Sequence, residues 1–151
     1  MLDLNKLKEL RNETGISIAL CKKALEESKG DITKAKKILN TWGVEKVKDK
    51  TERATSQGSL FSYIHHNHKI AGFVELLCET DFVANNTDFQ KLGKEISMQV
   101  ASVPPKDSQD LLKQDYIREP SKKIADLINE AVLKFGENIK IGKILRWQLG
   151  V

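Results

Sequence analysis

Cys78-Glu79-Thr80-Asp81-Phe82-Val83-Ala84-Asn85-Asn86 is the stretch on which the fold turns. Ahead of it, Ile70 to Leu77 is a β-rich apolar run, and behind it Phe89, Leu92, Ile96 and Val100 recur at helical spacing. The periodicity switches from strand to helix across Thr80 to Asn86, so this segment is the connection between the two. A connection is where a fold can display a side chain. Phe82, a large ring between an acid and a β-branched residue, either plugs a gap in its own core or stands out as a wedge offered to another protein. Burial statistics for phenylalanine favour the plug.

Working outward, Leu60 to Ile64 and Ile70 to Leu77 form two strands joined by His65-His66-Asn67-His68-Lys69, a composition suited to a hairpin loop. Three histidines in four residues invite a metal reading. A hairpin tip exposes its side chains, however, and no acidic or cysteine ligand stands beside these, so no metal site is expected. Downstream, Asp88 is expected to cap a helix from Phe89 to about Ala101, and Pro104-Pro105 ends it. Lys106 to Glu119 is a polar connection with weak helical character around Leu111-Leu112. Ser121 is expected to cap a second helix with Ile124, Leu127, Ile128, Ala131 and Phe135 on one face, stopped by Gly136. Ile139 to Leu149 is the last strand, with Ile139, Ile141, Leu145 and Trp147 expected on one side and a bulge at Gly142-Lys143. Residues 57–151 are thus expected to form an α+β domain of two layers, a three-stranded antiparallel sheet packed with helices.

Upstream lies a different pattern. Asp3, Ser17 and Asp31 each precede a helical run, and Thr14-Gly15, Gly30 and Gly43 follow one. Residues 1–43 are read as a three-helix module whose small core is only marginally stable. Its exposed surface either grips a partner or belongs to a self-sufficient mini-domain. Residues 44–56 mix Lys46, Lys48, Lys50 and Arg53 with Glu45, Asp49 and Glu52, the composition of a solvated linker helix. No aromatic ring interleaves these lysines, as a track for single-stranded nucleic acid would require.

Composition narrows the function classes. At 151 residues the chain has room for one core-bearing domain and a small satellite, and 40% hydrophobic with 30% charged residues fits a solvated globular surface. No apolar run approaches the ~20 residues of a membrane span, and the N-terminus carries no basic and apolar leader, so a cytoplasmic location is expected. Cys21 and Cys78 lack paired metal-ligand spacing and are expected to be reduced and buried. A net charge of +4 with pI near 9.0 suits nucleic acid or an acidic protein surface and selects neither. No serine or cysteine has a histidine placed near it, so no enzyme is expected, and without a Gly-rich phosphate loop no bound nucleotide or other cofactor is expected.

Three stretches carry a resemblance. Cys78 to Ala84; Leu10-Arg11 through Thr14-Gly15 to Cys21-Lys22-Lys23-Ala24-Leu25-Glu26-Glu27 with Gly30-Asp31; and Phe135-Gly136-Glu137-Asn138-Ile139 resemble, in order, the signatures of elongation factor Ts in its short, single-core form. The resemblance implies a guanine nucleotide exchange factor of translation elongation that binds the GTPase EF-Tu, GDP-bound and nucleotide-free, without contacting nucleic acid or membrane. It implies that residues 1–43 form a ubiquitin-associated type bundle resting on the GTPase, and that two chains pair through the core domain as a homodimer. It implies that Thr80, Asp81, Phe82 and Val83 enter the GTPase and disturb its magnesium and phosphate region. Phe82 would be the apolar wedge and Asp81 its polar neighbour, with Thr80 and Val83 shaping the turn; from the residues alone, Asp81 reads equally well as a cap. Cys78 and Glu79 are assigned to the strand end with no direct role, and Gly136 to Ile139 to closing the last helix onto the last strand. The chain departs from the family pattern at Ile16-Ser17-Ile18-Ala19-Leu20, at Asn85, and at Lys140-Ile141-Gly142-Lys143. Two other classes remain open at this point: a small basic RNA-binding or ribosome-associated domain, and a ubiquitin-associated-like adaptor using residues 1 to 43 alone.

Overall fold

Three short polar side chains start the first three helices. The Asp3 carboxylate accepts from the N–H groups of Asn5 and Lys6 and opens α1 (Leu4–Thr14); the Ser17 hydroxyl accepts from Leu20 N and opens α2 (Ile18–Glu27); Asp31 accepts from Lys34 N and opens α3 (Ile32–Lys50). Each satisfies donors that the first turn leaves without partners. Gly15, at φ +66° and donating to Arg11 O, closes α1 in the left-handed conformation that glycine adopts without a steric cost. These elements come from a computed structural model that describes residues 2–151.

The chain divides into two compact units. The first comprises residues up to Glu52 together with Asn129–Glu137. Its core is Leu7, Leu10, Ile16, Cys21, Ala24, Leu25, Ala35 and Leu39, completed by Leu133 from far along the chain. α3 does not stop at Gly43 but runs through it to Lys50, so Val44 to Lys50 of the expected linker is the end of this helix. The glycine within it serves packing rather than termination: a Cβ on Gly43 would lie 2.7 Å from the Asn129 carbonyl oxygen, and only glycine admits that approach.

The second unit comprises Arg53–Ile128 and Asn138–Val151. Its sheet has the order β1 (Gln57–Ile64), β2 (Ile70–Cys78), β3 (Lys140–Gln148), all antiparallel, with Phe61 opposite Val74 and Val74 opposite Ile144. The fold is α+β, as expected. One face of the sheet, carrying Phe61, Val74 and Leu76, is covered by α5 (Thr87–Ser102), whose Phe89, Ile96 and Val100 are fully buried. Two glycines set that approach: a Cβ on Gly72 would lie 2.2 Å from Ser97 O, and one on Gly93 would lie 2.1 Å from the Phe61 ring.

Two helix starts differ from expectation. α5 is capped by Asn86, whose side-chain oxygen accepts from Asp88 N at 2.8 Å; Asp88 falls in the first turn, where a carboxylate complements the helix dipole. α7 (Ile124–Phe135) begins after Ser121 and Lys123, because Ser121 lies in a turn, Tyr116 N donates to Lys122 O and Asp115 forms a bridge with Lys123, which ties these residues to the connection instead of the helix. Gly136 ends α7 at φ +70°, as expected. The connection holds α6 (Ser108–Lys113) and is pinned from below by Gln99, fully buried on α5, which donates to Gln114 Oε1 and Asp115 O and accepts from Ile117 N.

The expected bulge is present. Leu76 pairs with Ile141 and Val74 with Ile144, so Gly142 and Lys143 together oppose Glu75. The extra residue inverts the alternation, which corrects the expected facing. Ile141 and Ile144 share the face of Leu76 and Val74, whereas Leu145 and Trp147, opposite Phe73 and Ala71, lie on the other. That other face is open: Leu60, Ile64, Leu145 and Trp147 are exposed, Trp147 at 65%.

Candidate partner-binding turn

Between β2 and α5 the chain makes one helical turn, α4 (Asp81–Ala84). Thr80 is its cap, with extended backbone and a side-chain oxygen accepting from Val83 N at 3.4 Å. Ala84 N donates to Thr80 O, Asn85 N to Asp81 O and Asn86 N to Val83 O, which closes the turn before Asn86 opens α5. Four residues cannot sustain a helix by themselves, since nucleation costs more than one turn of hydrogen bonds returns. Packing holds it: Val83 and Ala84 are buried, and α4 lies against β1 and β2.

The same turn leaves Asp81 and Phe82 outside. Phe82 is 86% exposed, which excludes it as a plug for this chain's own core. An exposed phenylalanine loses the water-removal free energy, about 1.5–3 kcal/mol, that a buried one contributes. Its neighbours bury themselves while it projects. Asp81 lies beside it in the first turn of α4, also exposed. The four residues singled out from sequence are therefore brought together, two facing outward and two fixing the turn.

By sequence, Glu79 belongs to a strand end and Asn138 to the junction between the last helix and the last strand. In the structure the Glu79 carboxylate accepts from Asn138 N at 2.9 Å and lies 3.6 Å from the Arg53 guanidinium, while Asn138 Nδ2 donates to Arg53 O at 2.8 Å. Beside it, the Cys78 thiol donates to Thr80 O at 3.1 Å. Three segments remote in sequence thus meet at the residue before the cap. Only the proximity of the two motifs in space reveals this, and sequence spacing does not carry it.

Other candidates are placed as follows. Cys21 and Cys78 are both buried free thiols. Burial pushes the Cys21 thiol up from its ordinary value, opposed by its contact with Thr14 and the charge of Arg11. At the hairpin tip, His65 Nδ1 is 3.0 Å from the Tyr63 hydroxyl and its ring lies 4.1 Å from that of His66. No helix among the described residues is long and apolar enough to cross a membrane.

The sequence profile of the family described as elongation factor TS matches residues 79–149, a span that holds the Phe82 turn and Asn138. An elongation factor Ts of Coprothermobacter proteolyticus is 36% identical, with 95% of this chain and 96% of the relative covered. One from Thermosipho melanesiensis is 35% identical, covering 99% and 100%, and one from Thermodesulfovibrio yellowstonii 37%, covering 95% and 94%. The first of these alignments runs over 189 positions against a chain of 151 residues. At least 38 positions, 189 less 151, therefore hold a residue in that relative and none in this chain.

Proposed function

The chain belongs to the elongation factor Ts family of translation elongation factors, and on that premise we propose that it is the guanine nucleotide exchange factor of EF-Tu, with Phe82 as the group that enters the GTPase. One observation carries the reading: an 86% exposed phenylalanine on a turn whose other apolar residues are buried. An exchange factor needs no reactive group. It needs a surface that binds the nucleotide-free GTPase better than the GDP-bound one, because a ligand shifts an equilibrium only through differential affinity. By linkage the factor weakens GDP binding by the ratio in which GDP weakens the factor.

In this reading Phe82 fills an apolar gap in the GTPase, and Asp81 competes for hydrogen bonds beside the magnesium-supporting loops. Magnesium demands near-ideal octahedral coordination, so a small displacement of its supports raises GDP release steeply. Thr80 and Val83 hold the backbone that aims the ring. The factor works by binding rather than catalysis, in the cytoplasm where EF-Tu turns over. The open sheet face with Leu60, Ile64, Leu145 and Trp147 supports a homodimer through the sheet, since a contiguous exposed apolar face marks an interaction surface.

Stopped-flow release of a fluorescent GDP analogue from EF-Tu tests the proposal. The wild-type chain is expected to accelerate release many-fold, and Phe82→Ala to lose most of that acceleration. No acceleration by the wild type at any concentration removes the exchange-factor reading. Binding to RNA that falls steeply with salt would then favour the small basic domain instead.

A further inference from the structure

Because Phe82 is exposed, almost nothing in its own chain packs against the ring, and its place is set by the backbone that carries it. That backbone is a single turn, and its trailing end is anchored by buried Val83 and Ala84. Its leading end enters from β2 through Glu79, whose carboxylate is bonded to Asn138 N and paired with Arg53. Hydrogen bonds to an ionised carboxylate are the strong class. The Glu79 side chain is only 20% exposed, so this group is more than a surface ion pair. Asn138 fastens the assembly from the other side by donating to Arg53 O.

We propose that Glu79, held by Asn138 and Arg53, is a positioning residue for exchange: it fixes the leading end of the turn and thereby the direction in which Phe82 projects. This rests on the exchange-factor reading for its functional consequence, but its structural content stands apart from it. With Glu79 loosened, residues 79–81 pivot about Cys78, and the ring samples directions that miss its pocket. The competent fraction falls, and apparent exchange activity falls with it.

Two measurements on the full chain decide the matter. In the first, amide hydrogen exchange followed by NMR compares wild type with Glu79→Gln, which keeps the side chain's shape and removes its charge. Amides of Ala84, Asn85 and Asn86 are expected to exchange about tenfold faster, the effect of weakening one charge-assisted hydrogen bond, while the Val74 amide in mid-sheet is unchanged. Arg53→Gln, at a more exposed side chain that does not threaten folding, is expected to shift the same amides in the same direction by less. In the second, GDP release from EF-Tu is measured with Glu79→Gln, Phe82→Ala and the double variant. Glu79→Gln is expected to slow release about tenfold alone and to add nothing once Phe82 is gone, the signature of a residue acting through another.

Unchanged protection of the turn in both variants overturns the proposal, and so does a loss of protection spread evenly over the sheet. A Glu79→Gln effect on release that persists in full without Phe82 also overturns it. If the wild type fails to release GDP at all, the functional reading falls, and the amide measurement alone still decides whether Glu79 fixes the turn.

Discussion

At the scale of single residues, Phe82 and Val83 are adjacent and do opposite work. Phe82→Ala is expected to leave unfolding free energy within about 0.5 kcal/mol of wild type, as for other surface substitutions, yet to cost GDP release ~30-fold if Phe82 is an interface anchor. Denaturant melts and the stopped-flow assay run on one preparation separate the two. Cys21 yields a pH prediction. Burial raises its folded thiol above the ordinary 9.0, so the unfolded chain releases this proton first. The contribution is fully present below pH 9.0 and is lost as pH rises through the raised folded value. Tyr116 adds to the same loss from above its ordinary 10.0, raised by burial and then by its hydrogen bond to Glu95. Urea midpoints taken across this range are expected to fall with pH, with Cys21→Ser losing less than wild type above pH 9.0.

At the scale of elements, α5 lies on the sheet where glycine lets it. Gly93→Ala places a methyl group 2.1 Å from the Phe61 ring, which itself tilts against Phe89. Overpacking of this kind is expected to cost about 1–3 kcal/mol, read as a lowered denaturant midpoint. Much of this level was legible in the sequence because its causes are local. Asp3, Ser17 and Asp31 cap within three residues of themselves, and Gly15 and Gly136 stop helices by their own conformation. What was not legible depends on distant partners. Leu133 completes a core otherwise built before Gly43, Gln99 looks like an ordinary polar helix position until Ile117 and Asp115 fold over it, and Glu79 meets Asn138 only in space. The Phe82 turn was recognisable as a connection, but the exposure of its ring was not, since composition argues for burial.

At the scale of the whole molecule, the open sheet face is the surface on which the proposed pairing of two chains is tested. If two chains pair through it, Trp147→Asp is expected to convert the dimer to a monomer in sedimentation velocity, with the circular dichroism spectrum unchanged. The same pair of measurements on Leu60→Asp, on the opposite edge strand, is expected to agree. Leu145 and Trp147 reach that face only because β3 holds one residue more than β2 across from it. Deleting a residue inside a strand ordinarily turns every later side chain over, inside becoming outside. Here the surplus is already absorbed at Gly142-Lys143, so removal of Lys143 leaves Ile144 opposite Val74 and Trp147 opposite Ala71. The strand can therefore be shortened at the bulge without being inverted: a chain lacking Lys143 is expected to fold and to keep its oligomeric state, whereas a chain lacking Ile144 keeps the register but turns Lys143 onto the covered face opposite Val74 and is expected to be destabilised.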